Sequence, residues 1–190
     1  MVRSPALASS LQRSDAMKDA GVLGAGAHLV TGGLGGLGLV AAQELAALGA
    51  RTLVLVSRSG KPVKELTGRL DLLQSVKGLS VRCAKCDLAS EAQVGELMTG
   101  SLCSNGVPLG SVVHAAGVLE HCVLPELDPA RLAKTTGPKA AGAWHLHCAG
   151  QRAAANPSLV LFSSVSATVG LAGGAAYAAA NAYLDALALW

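Results

Sequence analysis

The sequence predicts an α/β fold, a doubly wound parallel sheet of at least five strands with helices on both faces. Three observations carry that expectation. From Ala27 onward, short runs rich in Val and Leu alternate with stretches of helical period, in the order βαβαβαβαβα. The runs are apolar throughout, as strands buried on both faces are, instead of alternating with polar residues. Composition agrees: 51% of the 190 residues are apolar and 14% are charged, against roughly a quarter charged in an ordinary soluble domain. Short connections between the elements favour right-handed crossovers.

Ala27–Thr31 reads as the first strand and runs directly into the glycine-rich segment Thr31–Gly38. A helix over Gly36–Leu48 offers Leu37, Val40, Ala41, Leu45 and Leu48 as its apolar face, and Gly49 closes it as a left-handed cap. Arg51–Val56 is the second strand. The helix over Val63–Val76 stacks Leu66, Leu70, Leu73 and Lys77, and Leu79–Ala84 is the third strand, ended by Cys86-Asp87-Leu88. Ser90-Glu91-Ala92-Gln93 has the form of a capping box in which Ser90 and Gln93 satisfy each other's backbone donors, and it opens a helix to about Leu102. Gly110–His114 is the fourth strand and Gly117–Pro125 a loop. Asp128-Pro129 supplies an N-cap and a first-turn proline for a long helix, which Gly137-Pro138 must kink or interrupt. Asn156-Pro157 turns into the fifth strand, Leu159–Ser163; after a Gly-rich loop, Ala175–Leu189 is an Ala-rich helix.

Several function classes fall away on composition. A net charge of +3, with no basic run interleaved with aromatics, argues against a nucleic-acid partner. Gly21–Gln43 and Ala153–Leu184 lack charge, but Gly, Ser, Thr, Asn and His break each into strand, turn and helix, so neither is expected to span a membrane. The odd count of five cysteines points to free thiols in a reducing compartment, and the expected location is cytoplasmic. Cys83 and Cys86 have CxxC spacing without the second ligand pair a zinc site needs, and read as two buried or half-buried thiols, so no metal is expected. Met1–Ala20 has some features of an organelle transit peptide but no apolar stretch for secretion. Residues 1–26 are expected to be a linker or N-terminal extension, and residues 27–190 one nucleotide-binding domain.

The glycine segment carries the first chemistry. Gly33, Gly35 and Gly38 match GxGxxG between a strand and a helix, the context in which glycines let backbone approach a pyrophosphate at a helix N-terminus. Thr31, Gly32, Gly36 and Gly38 also fit the more open TGxxxGxG spacing, with Leu37 inside it. Together they predict a Rossmann-type dinucleotide site. At the end of the second strand, where an NAD site usually carries an acid, the chain has Ser57-Arg58-Ser59. A guanidinium there can grip a 2′-phosphate in bidentate fashion, so NADPH is expected over NADH; the alternative is a surface arginine. Asp87 stands where a carboxylate can accept from an adenine amino group, with Leu88 against the ring, or it is simply the Asp of a turn preceding a helix.

This set of residues resembles the ketoreductase domain of modular polyketide synthases and animal-type fatty acid synthases, in the short-chain dehydrogenase/reductase superfamily. The landmarks are Thr31–Gly38, Leu55–Gly60, Cys86-Asp87-Leu88, His114–Leu119, Pro138-Lys139 through Trp144, Phe162-Ser163-Ser164 and Tyr177–Asn181, in order over residues 27–190. Ordinary members of the superfamily carry a lysine one helical turn after the tyrosine. This chain has Asn181 there and Lys139 upstream, the exchange found in the synthase-embedded enzymes. The resemblance implies reduction of a β-ketoacyl thioester, presented as acyl-phosphopantetheine by an acyl carrier protein, with other synthase domains as partners. It implies Tyr177 as proton donor and Lys139 as the cation that favours its phenolate and holds ribose hydroxyls. Ser164 would then hydrogen-bond the substrate carbonyl, and Asn181 would fix Lys139 or a relay water. Ala115, Ala116 and Gly117 then lie along the cofactor.

His114 is expected near the cofactor without proton chemistry, and His145 and His147 are expected to serve packing or face solvent. Leu119-Glu120-His121 and Val169 meet neither stereochemical fingerprint of the family, and Leu119 with an acid at 120 leans towards the Leu-Asp-Asp type. The resemblance also implies that the last strands and helical lid are missing, so that the fifth strand is an uncovered edge, and that residues 1–190 alone fold poorly and reduce little. Two alternatives stand beside the reductase. Asn181 speaks against a free-standing reductase of a soluble ketone. The intact Tyr177 and glycines speak against a structural, nucleotide-binding domain that does not reduce.

Overall fold

A computed structural model describes residue 23 and residues 26–101, 107–152 and 157–190. The expectations for Met1–Ala20, Leu102, Cys103 and Asn156 lie outside the described residues. Strands β1 (Ala27–Thr31), β2 (Thr52–Ser57), β3 (Ser80–Lys85), β4 (Leu109–His114) and β5 (Ser158–Leu161) form one sheet in the order β3-β2-β1-β4-β5. Every pairing is parallel, with Leu29 opposite both Val54 and Val112. The Rossmann-type α/β class expected from the sequence is what forms.

Alternation along the strands explains why they read as unbroken apolar runs. Leu29, Val54, Val56 and Val112 pack on one face with Val94 and Leu146, whereas Val30, Leu53, Leu55 and Val113 pack on the other with Leu39 and Leu70. Successive side chains point to opposite faces, and both faces are covered. The covering helices are α1 (Gly36–Ala47) and α2 (Thr67–Gln74) on one side, and α3 (Glu91–Glu96) and α5 (Gly142–Arg152) on the other. Between β4 and α5 runs α4 (Pro129–Thr136); after β5 come α6 (Ser166–Val169) and α7 (Ala175–Leu189), which packs against α4. No helix among the described residues is long and apolar enough to cross a membrane.

The structure corrects four local expectations. The buried face of α1 is Gly38, Leu39 and Ala42, while Leu37 and Val40 are exposed. The glycine loop, and not the helix's own pattern, sets the rotation: Gly38 lies so close to Gly32 that it must face the sheet. The capping box is half made: Ser90 Oγ accepts from Gln93 N at 3.4 Å, but Gln93 Oε1 accepts from Asp87 N at 2.9 Å. The Gln93 side chain thus fastens the turn after β3 instead of the Ser90 amide, which donates to Asp87 O. Strand β5 ends at Leu161, because the Ser163 amide turns back to Leu161 O at 3.2 Å. Cys83 lies exposed on β3, an edge strand, while Cys86 is buried.

Two other expectations hold in detail. Gly49 has φ +100°, and the amides of Gly49 and Ala50 return to Ala46 O and Leu45 O, closing α1 as a Schellman cap. Asp128 caps α4 by accepting from Arg131 N at 2.8 Å. Pro138, with no N–H to give, neither ends nor sharply breaks the long helix. The chain makes one wide π turn, Gly137–Ala141, in which the Gly142 amide returns to Gly137 O.

Candidate active site

The glycine loop sits at the carboxyl ends of β1 and β4, where doubly wound sheets place their ligand crevice. Gly32 has φ +66°, and a Cβ there would come within 2.8 Å of the Ala115 carbonyl oxygen, so the loop passes against the end of β4 only because residue 32 is glycine. At Gly38 a Cβ would meet Gly32 O at 2.1 Å. Gly33 is likewise a packing glycine, since a Cβ would meet Val30 O at 2.5 Å. At Gly36 a Cβ would meet nothing within 4 Å; this residue borders open groove. No side chain caps α1, so its N-terminus presents backbone donors and the positive end of its dipole.

A groove of about 760 Å³ runs past Gly32, Gly35, Gly36, Leu37 and Gly38 to Arg58, Lys61 and Val63 on one side and Ala115–Gly117 on the other. A smaller hollow of about 120 Å³ continues it between Arg58, Cys86, Leu88, Val118 and Pro138. All of the expected cofactor residues except Thr31, Gly33 and Asp87 border these spaces. Thr31 lies buried beneath the loop, and Asp87 accepts from Ala89 N through Oδ1 at 3.1 Å, as a turn residue does. His145 on α5 donates through Nδ1 to Leu88 O at 2.9 Å and holds that backbone in place. Among the described residues no carboxylate lines either space, and the arginine that does is Arg58. The residues present therefore fit a dinucleotide, with a guanidinium on the groove wall.

Beside the glycine loop, at the same carboxyl edge of the sheet, Lys139 of the π turn meets Tyr177 and Asn181 of α7, and Ser164 stands in the turn after β5. Lys139, in the π turn, is 3% exposed; its Nζ donates to Phe162 O at 2.8 Å and stands 5.5 Å from the centroid of the Tyr177 ring. Burial lowers the Lys139 pKa below its ordinary value. Tyr177 and Asn181 share a face of α7, but the structure does not bring the Asn181 side chain onto Lys139. Its Nδ2 donates to Tyr177 O at 2.8 Å, and its buried Oδ1 has no partner among the described residues. Ser164 Oγ accepts from the amide and the hydroxyl of Ser166, at 3.2 and 3.0 Å, which leaves its own O–H to be given elsewhere. Ser163 joins the serine pair to α7 by donating to Asn181 O at 3.3 Å.

Helix α7 is itself aimed by a loop contact. Cys122 pairs with Gly174, and the Cys122 amide donates to Gly173 O at 2.8 Å, pinning the 117–125 loop to the turn that starts α7. Glu120, in that loop, is held by Lys134 of α4 at 2.6 Å. His147 stacks on Trp144 with ring centroids 5.7 Å apart, away from these residues in role.

Sequence reasoning missed two kinds of participant. Cys86, Val118 and Pro138 line the smaller hollow; Cys86 is buried, and burial first, then Asp87 and Glu96, raise its thiol to about 11, so it offers an apolar wall and not a nucleophile. The Phe162 carbonyl that holds Lys139 is backbone, and no residue type announces it.

A parallel five-stranded sheet with a glycine loop, an arginine after β2 and a Tyr–Lys pair beyond β4 defines a nucleotide-binding fold of the short-chain dehydrogenase/reductase kind. Residues 26–190 match the family model of the KR domain, and the chain belongs to that family. It is 45% identical over 164 residues to the spectinabilin polyketide synthase system protein NorB of Streptomyces orinoci, covering 86% of this chain and 7% of that protein. Among solved structures it resembles PlmKR1, the ketoreductase from the first module of phoslactomycin biosynthesis in Streptomyces sp. HK803. The TM-score is 0.76 at 35% identity, over 86% of this chain and 37% of that one. A metagenomic short-chain oxidoreductase in complex with NADP superimposes with TM-score 0.75 at 28% identity, over 87% of this chain and 73% of that one. The chain thus spans a small part of its curated relatives and about a third of the ketoreductase structure.

Proposed function

We propose that this KR domain reduces a β-ketoacyl thioester to the β-hydroxyacyl thioester with NADPH, as one domain of a polyketide synthase. The observation that carries the reading is the buried Lys139, whose Nζ stands 5.5 Å from the Tyr177 ring at the rim of the glycine groove. Burying an ammonium is costly unless it serves a partner. A cation beside a phenol stabilises the phenolate, so Tyr177 can release its proton to the substrate oxygen at neutral pH. Ser164, with its acceptor capacity filled by Ser166, donates its O–H to the same oxygen and steadies the charge that develops there. Bound nicotinamide supplies the hydride. Arg58 and Lys61 hold the phosphate end of the cofactor, and the N-terminus of α1 holds the pyrophosphate.

The relatives are polyketide synthases, which supports an acyl carrier protein as the source of the thioester and other synthase domains as neighbours. The test is NADPH oxidation with a β-ketoacyl thioester surrogate on the protein as it occurs. Turnover that vanishes in Tyr177→Phe supports the reading. A folded protein that binds NADPH and shows no turnover would sink it.

A further inference from the structure

His114 is fully buried at the end of β4, where it meets the start of the glycine loop and the π turn at once. Its Nε2 lies 2.9 Å from Lys139 O and its Nδ1 lies 2.7 Å from Thr31 Oγ1. The carbonyl can only accept, so Nε2 carries the proton; Nδ1 then accepts, and Thr31 donates to it. The tautomer is set by the partners. The backbone of His114 is engaged as well, since the Phe162 amide donates to His114 O at 3.0 Å. His114, Lys139 and Phe162 therefore close a ring of three hydrogen bonds: imidazole to Lys139 O, Lys139 Nζ to Phe162 O, and Phe162 N to His114 O. Gly142 lets the helix come this near: a Cβ there would lie 2.9 Å from Leu88 Cβ and 3.5 Å from His114 Cε1.

We infer that His114 is a positioning residue for Lys139, a neutral imidazole that registers the proline-widened turn of the long helix against the glycine loop. The inference rests on the reductase reading above, because it assigns Lys139 its task. The physical need is specific. A π turn at a proline has lost a helical hydrogen bond and leaves the direction of its side chains poorly determined by the helix alone. Lys139 must nevertheless hold one geometry towards Tyr177, and misplacement by about an ångström costs on the order of a hundredfold in rate. The ring fixes both ends of the lysine, its carbonyl through His114 and its Nζ through Phe162, while Thr31 ties the same imidazole to the residue from which the loop begins.

Two side chains divide the imidazole's functions. Glutamine places an N–H near the Nε2 position and keeps the bond to Lys139 O; asparagine reaches only the Nδ1 position and keeps the bond to Thr31. On the protein as it occurs, His114→Gln is expected to hold kcat within about threefold, and His114→Asn and His114→Phe to lose on the order of ten- to a hundredfold in kcat with KM values near wild type. Imidazole ¹⁵N spectra of the wild type should show Nε2 protonated and Nδ1 bare. The Lys139 side-chain NMR signals should move in the Asn variant and stay in the Gln variant. Equal kcat in the Gln and Asn variants, a loss confined to KM, or an Nδ1-protonated imidazole would overturn the inference. Absence of turnover in the wild type would fail the reductase reading instead, and the ¹⁵N and lysine signals would still decide the role of His114.

Discussion

Lys139 Nζ stands 5.5 Å from the centre of the Tyr177 ring while donating to Phe162 O at 2.8 Å. The ammonium is thus held by the sheet end and offered to the helix that carries the tyrosine. One group serves two elements, so its removal is expected to affect both the proposed reaction and the fold.

Replacing the two residues separates those effects. Tyr177→Phe keeps the ring and removes only the hydroxyl, so it should fold as wild type and lose roughly 10²–10⁴-fold in kcat, the range expected of a general acid. Lys139→Met should lose turnover comparably and, by leaving Phe162 O unpaired in a buried site, lower stability by about 1–3 kcal/mol. Steady-state kinetics and urea unfolding on both variants check the division.

The glycines divide in the same way. Gly38→Ala drives a methyl to within 2.1 Å of Gly32 O, and backbone on both sides cannot yield cheaply. Destabilisation of about 1–3 kcal/mol or more is expected. Gly36→Ala meets nothing within 4 Å, so it should be neutral or slightly stabilising in the first turn of α1. Its methyl enters the groove, and NADPH affinity should fall. Thermal unfolding paired with cofactor titration distinguishes the two outcomes.

Arg58 is exposed and lines both parts of the groove, in which no carboxylate among the described residues competes with it. Arg58→Ala should weaken NADPH binding by about ten- to a hundredfold, the cost of one or two charge-assisted hydrogen bonds. NADH binding should hardly change. Equal weakening of both cofactors would mark Arg58 as a surface arginine.

Stability should carry the signature of His114. Burial lowers its pKa from 6.5 to about 4, with the Lys139 charge acting in the same sense and the hydrogen bond to Lys139 O against it. The unfolded chain therefore takes up a proton between about pH 6.5 and pH 4 while the folded chain does not, so stability against unfolding falls as pH drops through that window. The His114 contribution is present above pH 6.5 and lost towards pH 4, up to roughly 3 kcal/mol. His28, whose pKa burial also lowers, adds in the same direction. Unfolding midpoints at neutral and acid pH should lie further apart in wild type than in His114→Gln, which lacks the titrating ring.

What could be read in advance followed from local rules. The first four strand runs, the Asp128 cap, the Gly49 stop and the position of α7 depend on neighbours in the chain, and each appeared where its residue types require. Most of the residues expected along the cofactor border the groove, though Thr31, Gly33 and Asp87 do not; glycine at a close approach and arginine at a strand end are features that a residue type records. The exposed face of α1 was misjudged for the opposite reason. Leu37 and Val40 satisfy a helical period, but the helix's rotation is set by contact of Gly38 with Gly32, two residues whose lack of a side chain carries no periodic signal.

The sequence by itself determined the fold class, the order of elements, the glycine loop and the identity of Tyr177, Lys139 and Ser164 as candidates. Only the tertiary structure decided what holds them. Phe162 O anchors Lys139, His114 takes the lysine's carbonyl, and Asn181 turns its amide to Tyr177 O and not to the lysine. Those partners are backbone atoms, or side chains brought together from strands and helices far apart in the chain. A backbone carbonyl is the same in every residue; which one lies within reach of a given side chain is settled only when the sheet and the π turn are packed.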